Sequence, residues 1–459
     1  MIQQTLKLDT ENFKTTAIVA IPNSEIRIIY NLNSRVYIRL TSGKAEMLGA
    51  ELTSKPYLLP SHLLSIYVFT FHGCEIELIY HKNIKNIRYY VHPDEDNFNM
   101  GLAMINGILE KHRHTALDSF KTGPRVVITG GACTGKSSVL KTLINYSVKK
   151  EWQPVFVDLD PKLNDLSVPG IISAIQLNEY LPYNAFHLNK LAYFFGHQNI
   201  EQKGRLYVNV VETLLEKIRS KHLQSRLDFE NFIKNKEFLK LNKNLEQTMK
   251  LKKFVNRPVF SSGVFFNLPN ELSEFDEPTL KRLFDLINAD YIFVIDNDYL
   301  KSKLDHLLRN STAVVRIRRN TGVQMLTAEQ TQYLCSLQNK NYFYSDWLVC
   351  VREEIDIKSI NLYKIDDGSL TLRYVNDDRS DELMLNKVDP QITDLKGNII
   401  AVININSKEV KTYKDILKKE VLFLILITDV NNRQITVMRP KNVIPDYKEL
   451  VFYIGSVKL

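Results

Sequence analysis

Residues 126–140 read VVITGGACTGKSSVL: a β-branched run, then a loop of the form GxxxxGK[ST], then residues at helical spacing. Strand, glycine loop and helix in that order are the context in which this motif cradles phosphate. Its glycines let successive backbone N–H groups turn inward, and the helix that follows adds a positive N-terminal dipole. Gly131, Ala132, Cys133, Thr134, Gly135, Lys136, Ser137 and Ser138 are therefore expected to bind the phosphates, with Lys136 on the β- and γ-phosphates and Ser137 on Mg²⁺.

Outward from the loop, the chain from Gly123 to about Asn339 alternates apolar strand-like runs with helical segments. The strands fall at 125–129, 154–160, 262–268, 291–296 and 313–317, as a mainly parallel sheet covered by helices on both faces. Asp158 and Asp160 end the second run, where alternation puts them on one side, facing the phosphate loop. Arg316–Arg319 (RIRR) is the nearest cationic cluster, with Arg316 and Arg318 on one strand face and open to solvent. The Asn386–Asp389 stretch (NKVD) has the form of a GTPase motif. It lies beyond the sheet and precedes Asp394–Gly397 (DLKG), the wrong order for a GTPase.

Residues 1–92 hold short β-branched and aromatic runs, the pattern of a small antiparallel sandwich or barrel. A helix follows, capped by Asn97 or Asn99, with Met100, Met104, Ile105, Ile108 and Leu109 at helical spacing. Past residue 340 the runs at 369–375, 398–406, 421–430 and 433–440 read as β again. The expected fold class is α/β. A central P-loop domain (94–339) has a mainly parallel sheet and flanking helices, and smaller β-rich domains precede it (1–93) and follow it (340–459).

At 459 residues, with net charge +8, the chain is long enough for several cores and mildly biased toward polyanionic partners. The Lys-rich stretch around 220–255 fits an RNA or protein contact, or simply a solvated helix face. Four scattered cysteines, without a CxxC pair, point to a reducing compartment with neither disulfides nor zinc. The polar N-terminus and the absence of a long apolar run argue against a secretory signal or membrane span, which leaves the cytosol or nucleus.

The run GPRVVITGGACTGKSS, with PVFVDLDP and SVPGIISA, resembles the polynucleotide 5′-hydroxyl-kinase family and, within it, the Clp subfamily of mRNA 3′-end processing subunits. The likeness continues in EIRI, SGKAEMLGAEL, YFFGHQNI, SSGVFFNLP, NYFYS and LILITDVNNRQITVMRP, spanning nearly the whole chain. It implies ATP and Mg²⁺ as ligands, with the nucleotide partly enclosed by the N-terminal domain. Glu25 falls near the adenine, and Leu64 replaces a lysine contact in the same site. The metal would lie on Ser137 and Asp160. The implied partners are the scaffold subunit of cleavage factor IA that contacts the RNA polymerase II tail, and through it the complex's RNA-binding subunits. A direct RNA contact is a further option, and the nucleus the implied compartment.

Where active kinases of this family carry DxGQ, the chain has Asp160-Pro161-Lys162-Leu163. At the third strand Asn267 is followed by Leu268 rather than threonine. The stretch 327–345, TAEQTQYLCSLQNKNYFYS, lacks the lid arginine. Losing one such cation costs about 10³-fold or more in phosphoryl transfer. The departures imply an ATP-holding scaffold with no catalytic residue except, were the chain active, Asp160. The alternatives are a working polynucleotide 5′-hydroxyl kinase, or an RNA-binding module that merely retains nucleotide.

Overall fold

The computed structural model describes residues 12–31, 34–60, 65–181, 190–241, 257–308, 312–344, 348–367, 383–389, 394–431, 433–441, 447 and 449–459. Nine strands come first: β1 (Phe13–Ala20), β2 (Ser24–Ile29), β3 (Val36–Gly43), β4 (Glu46–Met47), β5 (Ala50–Glu51), β6 (Tyr57–Leu58), β7 (Ser65–Thr70), β8 (Cys74–His81) and β9 (Arg88–Pro93). They form two antiparallel sheets, β1-β8-β3-β6 and β5-β4-β7-β2-β9. Alternating residues such as Ile26, Ile28, Ile38, Val68, Ile76 and Leu78 close a dry core between them.

Helix α1 (Phe98–Asp118) leaves this sandwich for the central sheet. Neither expected asparagine caps it. Asn97 sits at the N-cap in the left-handed region without a side-chain bond, and Asn99 is drawn into a buried polar cluster. Asp94 does the capping, its carboxylate accepting the backbone N–H of Phe98 and Asn99 at 3.0 Å each. The apolar stripe is also rotated from the expected one: Leu102, Leu109 and Ala116 are buried, while Met100, Met104 and Ile108 face outward. Arg113 is fully buried on the inward face, donating to Ser262 O (3.1 Å), Ser147 Oγ (2.5 Å) and Glu110 Oε2 (3.2 Å).

The central sheet contains β10 (Arg125–Gly130), β11 (Val155–Asp158), β12 (Ile171–Gln176), β13 (Leu191–Phe194), β14 (Val264–Asn267), β15 (Tyr291–Ile295) and β16 (Ala313–Ile317), in the order β13-β12-β11-β14-β10-β15-β16. Five of these strands run parallel, as the apolar runs suggested. The other two, β12 and β13, were not expected and extend the sheet antiparallel beyond β11. Helices α2 (Lys136–Lys149), α3 (Gly204–Leu241), α4 (Val259–Ser262), α5 (Glu277–Ile287), α6 (Asp298–Leu307) and α7 (Ala328–Tyr344) belong to this region. Val126, Ile128, Leu140, Leu143, Phe156 and Phe265 fill the core beneath α1 and α2. The opposite core is larger and runs without a break from Val127, Val157 and Leu206 to Ile399, Leu424 and Tyr453.

Those last residues come from an antiparallel-rich sheet of β17 (Cys350–Asp356), β18 (Asn361–Asp367), β19 (Leu383–Lys387), β20 (Asn398–Ile403), β21 (Val421–Val430), β22 (Gln434–Pro440) and β23 (Val451–Lys458), with α8 (Tyr413–Leu417) beside it. The joint to the central sheet is backbone on backbone. Ser456 N donates to Gly196 O at 2.7 Å, and Gly196 N donates to Gly170 O at 2.8 Å. A Cβ on Gly455 would overlap the Gly196 carbonyl, so only glycine permits this approach. The expected strand at 369–375 lies outside the described residues, as does the 242–255 part of the Lys-rich stretch. Among the described residues no helix is long and apolar enough to cross a membrane.

Candidate functional site: the phosphate loop and the cavity beside it

The loop leaves the carboxyl end of β10 in the middle of the sheet. At Gly130 φ is +151°, and a Cβ there would lie 2.6 Å from Ile295 O. Cys133 (φ +51°) and Gly135 (φ +87°) are both left-handed, and Gly135 is the N-cap of α2. Such a run folds backbone N–H groups into an anion-binding concavity. Thr134 Oγ1 braces it by donating to Gly131 O at 3.0 Å. Lys136 is 7% exposed and donates from Nζ to Gly130 O (3.2 Å), Gly131 O (2.9 Å) and Asn270 Oδ1. Burial pushes its pKa down, against the attraction of Asp160 and Glu271. Ser137 and Ser138 lie half-buried in the first turn of α2, and Ala132 is exposed at the loop's tip. The eight loop residues are thus contiguous and shaped for phosphate.

A cavity of ≈ 280 Å³ opens beside Cys133, Thr134, Gly135 and Ser138. Its other walls are Arg27 and Tyr67 from the sandwich, Phe98 from α1, and Asn320, Val323 and Leu326 from the segment after β16. The sandwich therefore does enclose the space next to the loop. Glu25, however, stands behind the cavity rather than in its lining. It is 3% exposed and its oxygens are taken by Arg27 Nη2 (2.8 Å), Asn99 Nδ2 (2.8 Å) and Asn320 Nδ2 (2.7 Å). This hub ties β2, α1 and the 320–326 segment together. Arg27, which the sequence reading passed over, is the cavity's cation; it also donates to Asn320 Oδ1 at 2.7 Å and packs flat on Gly322. Leu64 lies outside the described residues.

The two aspartates behave differently from the expected pair. β11 ends at Asp158, so Asp160 lies past the strand and alternation does not align them. Asp158 is fully buried, accepting from Asn267 Nδ2 (2.9 Å), Asp160 N (3.2 Å) and Asp165 N (2.7 Å). Burial first, then Asp165 and Asp160, raise its pKa well above the usual carboxylate range. It holds the turn together instead of facing a ligand. Asp160 Oδ1 accepts the backbone N–H of Lys162 (2.9 Å) and Leu163 (3.1 Å), and its charge faces Lys136. Burial raises its pKa too, with those two amides and Lys136 opposing.

Mg²⁺ keeps several waters and needs only one or two protein ligands. Ser137 and Asp160 would supply them, and the ion would neutralise phosphate charge. Among the described residues Thr129 Oγ1, at the end of β10, and Asn267 Oδ1, at the end of the neighbouring β14, are buried without hydrogen-bond partners. A hydrated cation there gives such atoms something to bind, so the residues fit the group. The arginine cluster does not reach this chemistry intact. β16 stops at Ile317, so Arg316 and Arg318 share no strand face, and Arg316 pairs with Asp296 (3.5 Å) and Asp298 (3.1 Å). Helix α7, which follows the cavity segment, carries no arginine.

A glycine loop curled in the left-handed region, its lysine buried and a β-sandwich beside it define a P-loop nucleotide-binding protein. Two family models match the chain. Residues 21–116 match the N-terminal beta-sandwich domain of polyadenylation factor, and residues 130–233 match the P-loop of mRNA cleavage and polyadenylation factor CLP1. Over both matched stretches the chain is similar to the CLP1 family. It is 25% identical over 436 residues to a CLP1 homolog of Anopheles gambiae, covering 91% of this chain and 92% of that one. It is 26% identical over 358 residues to CLP1 homolog 5 of Arabidopsis thaliana, covering 75% and 76%. Its fold matches Clp1p in the wild-type Clp1p–Pcf11p complex with a TM-score of 0.72, at 20% identity and over 97% and 98% of the two chains. A second Clp1p structure, which addresses ATP loss in a glycine-to-arginine point mutant, matches with the same score at 21% identity.

Proposed function

We propose that this protein is an ATP-binding, non-catalytic scaffold subunit of the nuclear mRNA 3′-end cleavage and polyadenylation machinery, organised as 1–93, 94–339 and 340–459. ATP with Mg²⁺ is held by Gly131–Ser138, with Asp160 completing the metal site and Arg27 beside the cavity. Its partner is a Pcf11-like scaffold subunit, the chain that accompanies Clp1p in the matching complex, and through it subunits that bind RNA and the polymerase tail. The observation that carries the non-catalytic reading is the state of Asp160. One of its oxygens, Oδ1, is bound to the amides of Lys162 and Leu163, where active kinases of the family have glycine and glutamine, which leaves Oδ2 for the metal, while α7 offers no arginine for the transferring phosphoryl.

The test is transfer of the γ-phosphate from ATP to a 5′-hydroxyl oligonucleotide, using protein shown to bind ATP. No transfer above the Lys136→Ala background is expected. Transfer that Lys136→Ala abolishes would make the protein a polynucleotide 5′-hydroxyl kinase and end the scaffold reading.

A further inference from the structure

A second cavity, ≈ 180 Å³, lies at the opposite end of the central sheet, under α3. Arg125 and Val264, which begin β10 and β14, line its floor, whereas the phosphate loop follows the end of β10. A six-residue strand places the two sites roughly 15–20 Å apart along the sheet. α3 presents Arg219, His222 and Arg226 to this space at helical spacing, one turn after another on one face. α4, β14 and α5 contribute apolar walls, Phe260, Phe266 and Ile287 among them, and no carboxylate lines the cavity among the described residues.

Its cations are incompletely employed. Arg125 is matched by Asp290, at 3.0 Å. Arg219 gives one Nη2 bond to Leu286 O, at the end of α5, which leaves the rest of its fork. Arg226 has only a 3.6 Å approach of Nε to Glu230, and its Nε has no hydrogen-bond partner. His222 is 7% exposed, lines the cavity, and its Nε2 is buried without a hydrogen-bond partner among the described residues. Structures rarely leave a buried polar atom of this kind unmatched, and an unmodified apolar filling would not satisfy it.

We infer that this cavity is a binding site for a phosphoryl group or a comparable oxyanion, separate from the phosphate loop, with Arg219, His222 and Arg226 as its donors. Two guanidinium forks and an imidazole N–H converging on one oxyanion are charge-assisted donors of the kind that hold phosphate. The charged groups that share the cavity with His222 are Arg219 and Arg226 from its own helix and the paired Arg125 from β10; of the other described lining residues only Thr122 is polar. Burial, and nothing else, lowers its pKa to about 4. A bound dianion favours the imidazolium, so binding takes up a proton and tightens as pH falls.

The experiment is calorimetric titration of the full chain, loaded with ATP so that the phosphate loop is filled, using inorganic sulfate and phosphate as probes. Saturable binding is expected, weakened about tenfold or more by Arg226→Gln and by His222→Asn. Arg226 is half-exposed, so Arg226→Gln should keep the wild-type melting temperature. Sulfate stays a dianion across the range and should bind more tightly at pH 5 than at pH 7. Tighter binding of 5′-AMP than of phosphate would assign the phosphoryl group to a nucleotide, and equal binding to the free ion. The inference is overturned by the lack of a saturable signal up to about 10 mM. It is equally overturned by binding that both variants leave unchanged and Lys136→Ala removes.

Discussion

Glu25→Ala should loosen the cavity's outer wall, and its cost can be worked from the contacts. Glu25 accepts from Arg27 at 2.8 Å, Asn99 at 2.8 Å and Asn320 at 2.7 Å while only 3% exposed. Removing it strands one guanidinium charge and two amide donors. Arg27 retains Asn320 Oδ1 and Thr321 Oγ1, and Asn99 retains Asp94 at 3.5 Å, so the loss is less than the sum of three bonds. A buried charged acceptor removed from such partners costs about 3–5 kcal/mol. The solvent-facing Arg39–Glu77 pair of the same sandwich, 41% and 22% exposed, serves as the control, worth up to about 1 kcal/mol. The assay is urea denaturation of the wild type, Glu25→Ala, Asn320→Ala and the double variant, with Glu77→Ala alongside. The cycle should show a coupling between Glu25 and Asn320 of about 1–2 kcal/mol. ATP affinity should fall in Glu25→Ala and hold in Glu77→Ala. A Glu25→Ala loss no larger than that of Glu77→Ala, with no coupling, would refute the hub.

Three further outcomes follow from particular contacts. Gly322→Ala pushes a methyl into the guanidinium of Arg27 and so pulls it from buried Glu25; ATP affinity by titration should drop about tenfold, and the melting temperature should fall with it. Gly455→Ala drives a Cβ into the Gly196 carbonyl at the joint with the C-terminal sheet and should destabilise the chain by about 3 kcal/mol or more, read by denaturation. His197 and His222 are both held near pKa 4, chiefly by burial and, for His197, also by Lys203 and Lys364. The unfolded chain binds these protons near 6.5, so stability is complete above that pH and falls between about 6.5 and 4, by about 3 kcal/mol for each histidine. His197→Asn should flatten part of that slope in melting curves taken across the range.

The phosphate loop was legible because its signal is local: the spacing of Gly130, Gly135 and Lys136 encodes the curl, whatever the rest of the chain does. The five parallel strands were legible for a related reason, since burial on both faces leaves near-continuous apolar runs. β12 has such a run, IISAIQ, but nothing in it announces an antiparallel turn onto β11. The phase of α1 was misread because a buried arginine, Arg113, and a buried asparagine, Asn99, occupy its inward face. Hydrophobic periodicity cannot anticipate that. Asp158 and Asp160 were paired by strand alternation, which fails once the strand ends at Asp158. Arg27 carried no signal at all: its partners Asn320 and Thr321 lie 293 and 294 residues away, and only the fold brings them together.

The central claim is that the loop keeps a nucleotide and does not spend it. The direct measurement is to purify the protein without added nucleotide, denature it, and quantify what is released. The account predicts intact ATP near one per chain, absent from Lys136→Ala. Release of mainly ADP from the wild type would contradict it, because a site lacking the groups that move a phosphoryl has no route to that product.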